Sequence, residues 1–284
     1  SIYGGSVKLM TNVLRGWGIS TQFIALNEIT NLPALASKRA KAFWFETPAN
    51  PINRIVDLNT AARVSREAGL FSIVDNTFAS PVLQQPLKHG VDAVMHSATK
   101  YLGGHSDLTA GAIVGSKEFI ARVRQISITI GTTLDPAAAY LLGRGIKTLD
   151  VRVRAACDNA LQIAQFFRLH PKVKRVYYPG LEDDPGYQIA KSQMREAGAI
   201  VAVDLVGGEP EVERFFNALR MVRTAPSLGG VESLVSYPLY SSHAGFSPAQ
   251  LESAGVSAAT VRFALGIESI DDITEDIENA LQQI

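Results

Sequence analysis

The chain has 284 residues, of which 46% are apolar and 19% are charged, and its formal net charge is zero. That length suffices for a sizeable core and indicates two domains, while the balanced charge gives no support to a nucleic-acid or membrane-surface partner. The single cysteine excludes an intramolecular disulfide, and we find neither a signal peptide nor a run long enough to span a membrane. We therefore expect a cytoplasmic protein that works in small-molecule chemistry or protein association.

Short apolar segments alternate with helix-like ones in the first half of the chain, which predicts an α/β sheet covered by helices. Near-continuous apolar runs indicate strands buried on both faces. In such sheets, ligands bind at the carboxyl ends of the strands. The predicted strands are 40–46, 70–76, 91–97 and 111–115, and the predicted helices are 57–69, with Asp57 as N-cap and Gly69 as C-cap, and a segment opened by Ser116.

A second strong helix start lies at Asp135, which is followed by Pro136 at the first helical position. The pattern stays helical, with breaks, as far as Pro171, and this predicts a long helix that links two domains. We expect a large domain over 1–145 and a smaller α+β domain over 146–284. The apolar face of the linking helix consists of Val153, Ala156, Cys157, Ala160, Ala164 and Phe167.

Polar side chains follow three of the predicted strands at the point where each strand ends. Neighbouring strand ends converge in an α/β sheet, so these groups can share one site. A lysine, an acid and paired hydroxyls suit pyridoxal 5'-phosphate (PLP), whose aldehyde, pyridine nitrogen and phosphate they would bind respectively. The residues are Asn50 after the first strand, Asp75 at the end of the second, and Ser97, Thr99 and Lys100 after the third.

Each of these residues also has an ordinary explanation. Asp75 with Asn76 could simply cap a turn, a lysine after a strand is usually solvated, and Ser97 and Thr99 are common turn residues. The combination is much more specific than any one residue. A lysine at this position also costs desolvation free energy unless the protein uses it, so the sequence favours a PLP site.

The segment "VDNTFASPVLQQPLKHGVDAVMHSATKYLGGHSDLTAGAIVG" closely resembles the PLP signature of the cystathionine γ-synthase/γ-lyase family of Cys/Met-metabolism enzymes. The resemblance implies a fold-type-I PLP-dependent transferase. Such an enzyme has a large α/β domain, whose mixed, mostly parallel sheet carries helices on both faces, and a smaller α+β C-terminal domain. Further matches are "YGGS" at 3–6, "ETPANP" at 46–51, "LGRGIKTLDVR" at 142–152, "SLGGVESL" at 227–234, "SHAG" at 242–245 and "VRFALGIES" at 261–269.

The resemblance implies roles for the residues at the strand ends. Lys100 would form the Schiff base and then shuttle protons, because desolvation lowers a lysine's pKa and makes it a plausible base. Asp75 would keep the pyridine nitrogen protonated. Ser97 and Thr99 would bind the phosphate, and Thr77 would lie close to the cofactor.

Four further assignments follow from the same resemblance. Tyr3 would stack on the cofactor ring and exchange a proton at the leaving group. Asn50 would contact the cofactor oxygen or the substrate carboxylate. Arg262 would clamp the α-carboxylate through a bidentate pair, with Ser227 lining the same end. Ordinary alternatives are a surface tyrosine near a terminus and an arginine in a surface salt bridge.

Glu46 is not included among the predicted site residues, because it could be a buried partner of the site or a solvated strand end. The five histidines show no metal-ligand spacing, so we expect no metal site. The expected ligands are PLP and a small-molecule amino-acid substrate.

The resemblance leaves several reactions open. Cystathionine γ-lyase or cystathionine γ-synthase chemistry ranks first, followed by O-acyl-homoserine sulfhydrylase and then methionine γ-lyase, in which a cysteine is expected where Gly5 stands. Pro226 occupies a position where many γ-synthases and γ-lyases carry Glu. The alternative from another class is a truncated, non-catalytic relic that acts through association.

Members of the family normally begin well before the "YGG" motif, with a segment that carries a Tyr-x-Arg pair and a glycine-led helix start for the phosphate. We expect that segment to be missing here. Either the chain is a piece of a longer protein or the protein is natively truncated, and the first is favoured because the remaining site residues are intact. The resemblance also implies a homotetramer made of two tight dimers.

Overall fold

The polypeptide folds around two β-sheets in a computed structural model, which describes residues 2–242 and 244–284. The first sheet contains β1 (Ala42–Glu46), β2 (Phe71–Asp75), β3 (Ala93–Ser97) and β4 (Gly111–Gly115), in that order across the sheet. The second sheet contains β5 (Val173–Tyr177), β6 (Ile200–Leu205), β7 (Arg223–Thr224), β8 (Leu234–Ser236) and β9 (Thr260–Ala264), in the order β5-β6-β9-β8-β7.

Helices fill most of the remaining chain. None of those in the described residues is long and apolar enough to cross a membrane. The α-helices are α1 (Gly4–Lys8), α2 (Leu32–Leu35), α3 (Leu58–Glu67), α4 (Ser80–Leu83), α5 (Lys117–Ile130), α6 (Pro136–Ile146), α7 (Leu149–Leu169), α8 (Tyr187–Gln193), α9 (Glu209–Ala218), α10 (Pro248–Ala254) and α11 (Ile270–Leu281). A π-helical turn spans Leu9–Leu14, and 3-10 helices span Leu26–Asn31, Pro86–His89 and Pro238–Tyr240.

The first sheet is mixed and mostly parallel, as predicted. Strands β1, β2 and β3 run parallel, and β4 pairs antiparallel with β3. In this register Glu46 lies beside Asp75, and Asp75 lies beside Met95. The carboxyl ends of three strands therefore meet at one edge of the sheet, where a ligand site is expected.

Helix α3 covers this sheet and shows how closely the sequence pattern fixes a local structure. Its N-cap is Asp57, whose carboxylate accepts a hydrogen bond from the Thr60 amide at 2.5 Å. Its buried side chains join those of Phe45, Val74 and Val94 in one apolar cluster. The predicted C-cap is wrong by one residue: Ala68 is the C-cap, and Gly69 follows it with φ +67° because the left-handed position after a helix favours glycine.

The predicted helical stretch with breaks is confirmed as α6 and α7, which are separated by Lys147 and Thr148. All six residues of the predicted apolar face of α7 are buried. This face packs against α4 from the first half of the chain and against β5, β6 and α11 from the second. The division at residue 145 stays a prediction, because the helix contacts both halves.

The second sheet places one charged residue inside the protein. All five residues of β9 are buried, and Arg262 pairs in register with Ala202 on β6 and with Ser236 on β8. Apolar side chains of α7, α9 and α11 pack into the same cluster as β6 and β9. Arg262 is thus held on a rigid central strand.

Candidate active site

Thr77 ties the ends of β2 and β3 together. Its hydroxyl donates to Asp75 Oδ1 at 2.5 Å, and its backbone N–H donates to the same oxygen at 3.0 Å. The Ser97 amide donates to the Thr77 hydroxyl at 2.8 Å. Thr77 therefore orients the Asp75 carboxylate and fixes it relative to the loop that carries Lys100.

Asp75 is 6% exposed. Burial raises the pKa of its carboxyl, and the two hydrogen bonds from Thr77 oppose that rise. A cation placed against the carboxylate would lower this pKa and offset the cost of burying the charge. The site is therefore suited to a positively charged ligand atom.

Lys100 occupies a tight turn directly after β3. Its amide donates to the Ser97 carbonyl at 3.1 Å, and its carbonyl accepts from the Gly104 amide at 2.8 Å. Its Nζ donates to the Ser227 hydroxyl at 2.9 Å. Burial, and then the charge of Arg262, lower the pKa of the Lys100 amine, so the amine gives up its proton more readily than a solvated lysine does.

Arg152 supports this turn from α7, a role that sequence reasoning missed. Its Nη1 donates to the Tyr101 carbonyl at 3.0 Å and its Nη2 to the Gly145 carbonyl at 2.8 Å. Gly104 has φ +75°, and a Cβ there would lie 1.9 Å from Arg152 Nη1. The signal was present in the "LGRGIKTLDVR" motif, which contains Arg152, but spacing alone gave no partner for it.

Thr99 engages its neighbouring backbone. Its hydroxyl donates to the Ala110 carbonyl at 3.3 Å and accepts from the Ala110 amide at 3.0 Å. To donate to a phosphate, the hydroxyl would have to release the longer of these bonds. The predicted phosphate role of Ser97 and Thr99 stays a prediction.

Arg262 and Asn50 form a second bonded group in the site. Arg262 Nη1 donates to Asn50 Oδ1 at 2.6 Å, and Nη2 donates to the Ser227 carbonyl at 3.0 Å. Asn50 is 2% exposed and Arg262 4% exposed, so the surface salt bridge considered for Arg262 is wrong. Burial lowers the pKa of Arg262 to about 10, and its Nε is buried without a hydrogen-bond partner among the described residues. This guanidinium is therefore suited to an added anion.

Glu46 connects Asn50 to Tyr3. Its Oε1 accepts from the Asn50 amide at 2.8 Å, and its Oε2 accepts from the Tyr3 amide at 2.8 Å. Glu46 is 5% exposed, so the sequence alternative of a solvated strand end is wrong. Burial, and then the charge of Asp75, raise the pKa of the Glu46 carboxyl to about 8.

Tyr3 is the outermost predicted residue, with 54% of its surface exposed. Its ring lies over Gly5, where a Cβ would be 2.5 Å from Tyr3 Cε1. The glycine at position 5 therefore leaves room for the Tyr3 ring. His243, within the "SHAG" motif, lies outside the described residues.

The chain matches the family model described as Cys/Met metabolism PLP-dependent enzyme over residues 1–282. The chain belongs to this family. The cofactor is therefore PLP, the protein is an enzyme, and the predicted family and fold-type-I architecture are confirmed.

Individual members of the family show how similar the chain is to known enzymes. It is 40% identical to cystathionine β-lyase from Coxiella burnetii over 99% of this chain and 73% of that protein. It is 39% identical to L-methionine γ-lyase from Fusobacterium nucleatum over 100% of this chain and 73% of that protein. The crystal structure of cystathionine γ-lyase from Lactobacillus plantarum complexed with L-serine aligns with a TM-score of 0.94, at 36% identity, over 100% of this chain and 74% of that one.

The residues present fit the cofactor of the family. Asp75 offers a buried carboxylate to a protonated ring nitrogen, and Lys100 offers an amine whose pKa is lowered. Thr77 bonds to Oδ1 of Asp75 only, which leaves Oδ2 for the ligand. Within the described residues, no group of His, Cys, Asp and Glu side chains is placed to hold a metal ion.

Proposed function

We propose that the chain is a PLP-dependent carbon–sulfur lyase that cleaves L-cystathionine by γ-elimination. The γ-replacement reaction of a cystathionine γ-synthase is the alternative within this proposal. The observation that carries this proposal is the double contact of Ser227. Its hydroxyl accepts from Lys100 Nζ, and its carbonyl accepts from Arg262. An amino acid whose carboxylate binds Arg262 would therefore hold its Cα close to the Lys100 amine.

Bound PLP supplies an electron sink for negative charge that develops on the carbon atoms of the amino acid. The chain supplies binding, orientation and proton transfer. Arg262 binds the α-carboxylate, and Asn50 fixes the orientation of its guanidinium. Asp75 keeps a proton on the ring nitrogen, because its carboxylate would otherwise be buried without a counter-charge.

Lys100 moves protons on the substrate. Burial lowers the pKa of its amine, so a larger fraction is neutral near pH 7 and can act as a base. Its link to Ser227 holds the amine at the carboxylate end of the site. We propose that the phenol of Tyr3, the most exposed of the predicted site residues, exchanges a proton with the departing sulfur.

The reaction type rests on local features and on the relatives together. The three relatives carry three different activities at similar identity, so similarity alone does not separate them. Gly5 stands where a cysteine is expected in methionine γ-lyases, which favours cystathionine over methionine. Methionine γ-lyase and O-acyl-homoserine sulfhydrylase activities rank below cystathionine cleavage.

A homotetramer in the cytoplasm is part of the same proposal. Large apolar side chains on α5 support association, because Ile126, Ile128 and Ile130 are each more than half exposed. Light scattering of the purified protein measures the assembly. A monomer at micromolar concentration would contradict it.

The experiment loads the protein with PLP and records its visible absorbance before and after borohydride reduction. We expect a visible band that reduction removes, since reduction fixes the cofactor to Lys100. Lys100→Ala should abolish both the band and turnover, whereas the control Lys88→Ala, which changes an exposed lysine, should retain both. Turnover that survives in Lys100→Ala, or a wild type without any band, would overturn the proposal and favour a non-catalytic relic.

Products then identify the reaction. L-cystathionine alone should give cysteine, 2-oxobutyrate and ammonia. Homocysteine, pyruvate and ammonia would show cleavage at Cβ instead. Cystathionine formed from O-succinyl-homoserine and cysteine would indicate the synthase.

A further inference from the structure

Glu46 is a buried acid that the proposed chemistry does not use. It ends β1 beside Asp75, and each of its two carboxylate oxygens accepts a backbone N–H at 2.8 Å. One N–H belongs to Tyr3 and the other to Asn50. These residues lie 43 and 4 positions away along the chain, so a single side chain fixes two segments relative to each other.

We propose that Glu46 is a positioning residue that holds the backbone of Tyr3 at a fixed distance from Asn50, and so from the proposed carboxylate clamp at Arg262. This inference rests on the proposed function, because it takes Tyr3 and Arg262 as substrate-contacting residues. Glu46 reaches the substrate only through them.

The path from Glu46 to the Lys100 amine is a chain of direct hydrogen bonds through Asn50, Arg262 and Ser227. Glu46 holds the Asn50 backbone, and the Asn50 side chain orients Arg262. Arg262 bonds to the Ser227 carbonyl, and the Ser227 hydroxyl accepts from Lys100. A displacement of residue 50 is therefore transmitted to the clamp, and misplaced groups at a site cost far more in rate than in stability.

The charge of Glu46 matters as well as its shape. Two N–H groups bond most strongly to an ionised carboxylate, while burial and Asp75 on β2 raise its pKa to about 8. Arg262 on β9 interacts favourably with the ionised form. The hydrogen bonds that Glu46 accepts from the Tyr3 and Asn50 amides should therefore strengthen as the pH rises through this range.

The test compares Glu46→Gln with Asp276→Asn in the PLP-loaded enzyme. Both replacements neutralise a buried carboxylate that accepts backbone N–H groups, and Asp276 accepts three of them on Arg220, Met221 and Val222, away from the site. Glutamine offers one acceptor oxygen for two donors. At pH 9, where the wild-type carboxylate is mostly ionised, we expect kcat/KM for cystathionine to fall about tenfold in Glu46→Gln, consistent with the loss of one hydrogen bond to a charged group.

The pH profile distinguishes positioning from general destabilisation. Wild type and Asp276→Asn should show a rise in kcat/KM between about pH 7 and 9, the range set by the pKa of Glu46, and Glu46→Gln should lack it. If Glu46→Gln keeps the wild-type profile, or if Asp276→Asn loses it equally, Glu46 is only structural.

A second measurement needs neither turnover nor cofactor. Amide hydrogen exchange at Tyr3 and Asn50 should be about tenfold faster at one or both positions in Glu46→Gln than in wild type, because an unbonded N–H loses its protection. Unchanged exchange at both positions would overturn the proposal even if the enzyme is active. If the wild type binds no PLP, the proposed function fails while this exchange result still decides the role of Glu46.

Discussion

The inner and outer parts of the site differ in how much of their geometry the chain itself fixes. The inner part consists of Asp75, Asn50 and Arg262, which are all nearly inaccessible to solvent and bonded to other residues of the chain. The outer part contains Tyr3 and Lys100, which are partly or largely exposed. This difference shows that the fold itself fixes the orientation of the inner side chains, whereas the groups that we propose to exchange protons stay accessible to solvent.

The largest effect is expected when the inner residue Arg262 is replaced by another cation, which keeps the charge but changes the geometry. Arg262→Lys removes the fork that bonds to Asn50 and to Ser227, and a point charge cannot replace a bidentate contact. We expect KM for cystathionine to rise about 100-fold, with a smaller change in kcat, as steady-state kinetics would measure. The control Arg214→Lys, on the exposed face of α9, should behave as wild type, and equal KM values for both variants would contradict a fixed clamp.

Glu46 predicts a pH dependence of stability whose sign follows from its burial. Its folded pKa of about 8 lies above the ordinary value of 4.5, so the folded state holds a proton that the unfolded state has lost between those values. Stability contributed by this group is present at low pH and is lost as the pH rises through the range. Chemical denaturation of the cofactor-free protein should show Glu46→Gln gaining at least about 2 kcal/mol relative to wild type from pH 5 to pH 9. A constant difference would contradict burial of an acid at this position.

Thr77→Val tests the link between the strand ends. The variant keeps the shape of the side chain but removes the hydroxyl that donates to Asp75 and accepts from Ser97. We expect a loss of about 1–2 kcal/mol in the free energy of unfolding, because the buried Asp75 and the half-buried Ser97 each lose a hydrogen bond. The pKa of Asp75 should rise further, since one of the contacts that lower it is gone. Urea denaturation measures the change in the free energy of unfolding. An unchanged midpoint would show that the hydrogen bonds of the Thr77 hydroxyl do not stabilise the protein.

The smallest effect is expected at the outer hydroxyl of Thr99. Its bond to the Ala110 carbonyl is long, at 3.3 Å, and the Ala110 amide that donates to it is only half-buried, so Thr99→Val should cost about 1 kcal/mol of stability. PLP affinity should fall if Thr99 also binds the phosphate as predicted. A titration of the cofactor-free Thr99→Val variant with PLP distinguishes a purely structural role of Thr99 from phosphate binding. Unchanged PLP affinity would remove Thr99 from the phosphate site.

The sequence predicted the parts of the site that local pattern controls. Apolar runs predicted the strand ends, and hence the neighbourhood of Asp75 and Lys100, because parallel strands bring their carboxyl ends together. Glu46 stayed undecided, since its burial depends on contacts with Tyr3 that no local pattern contains. Arg152 had no partner in the sequence for the same reason. Asn50 and Arg262 are 212 positions apart, and only the family resemblance assigned them to one site.

Ser227 contacts Lys100 through its hydroxyl and Arg262 through its carbonyl. Its loop also packs closely on the lysine turn, since a Cβ on Gly229 would lie 2.6 Å from the Tyr101 amide nitrogen. A shift of this loop would therefore move the carboxylate clamp and the reacting amine together. If Arg262 and Lys100 act as proposed, substrate preference and the basicity of the lysine are coupled, and a change at positions 226–229 selected for one of them would alter the other.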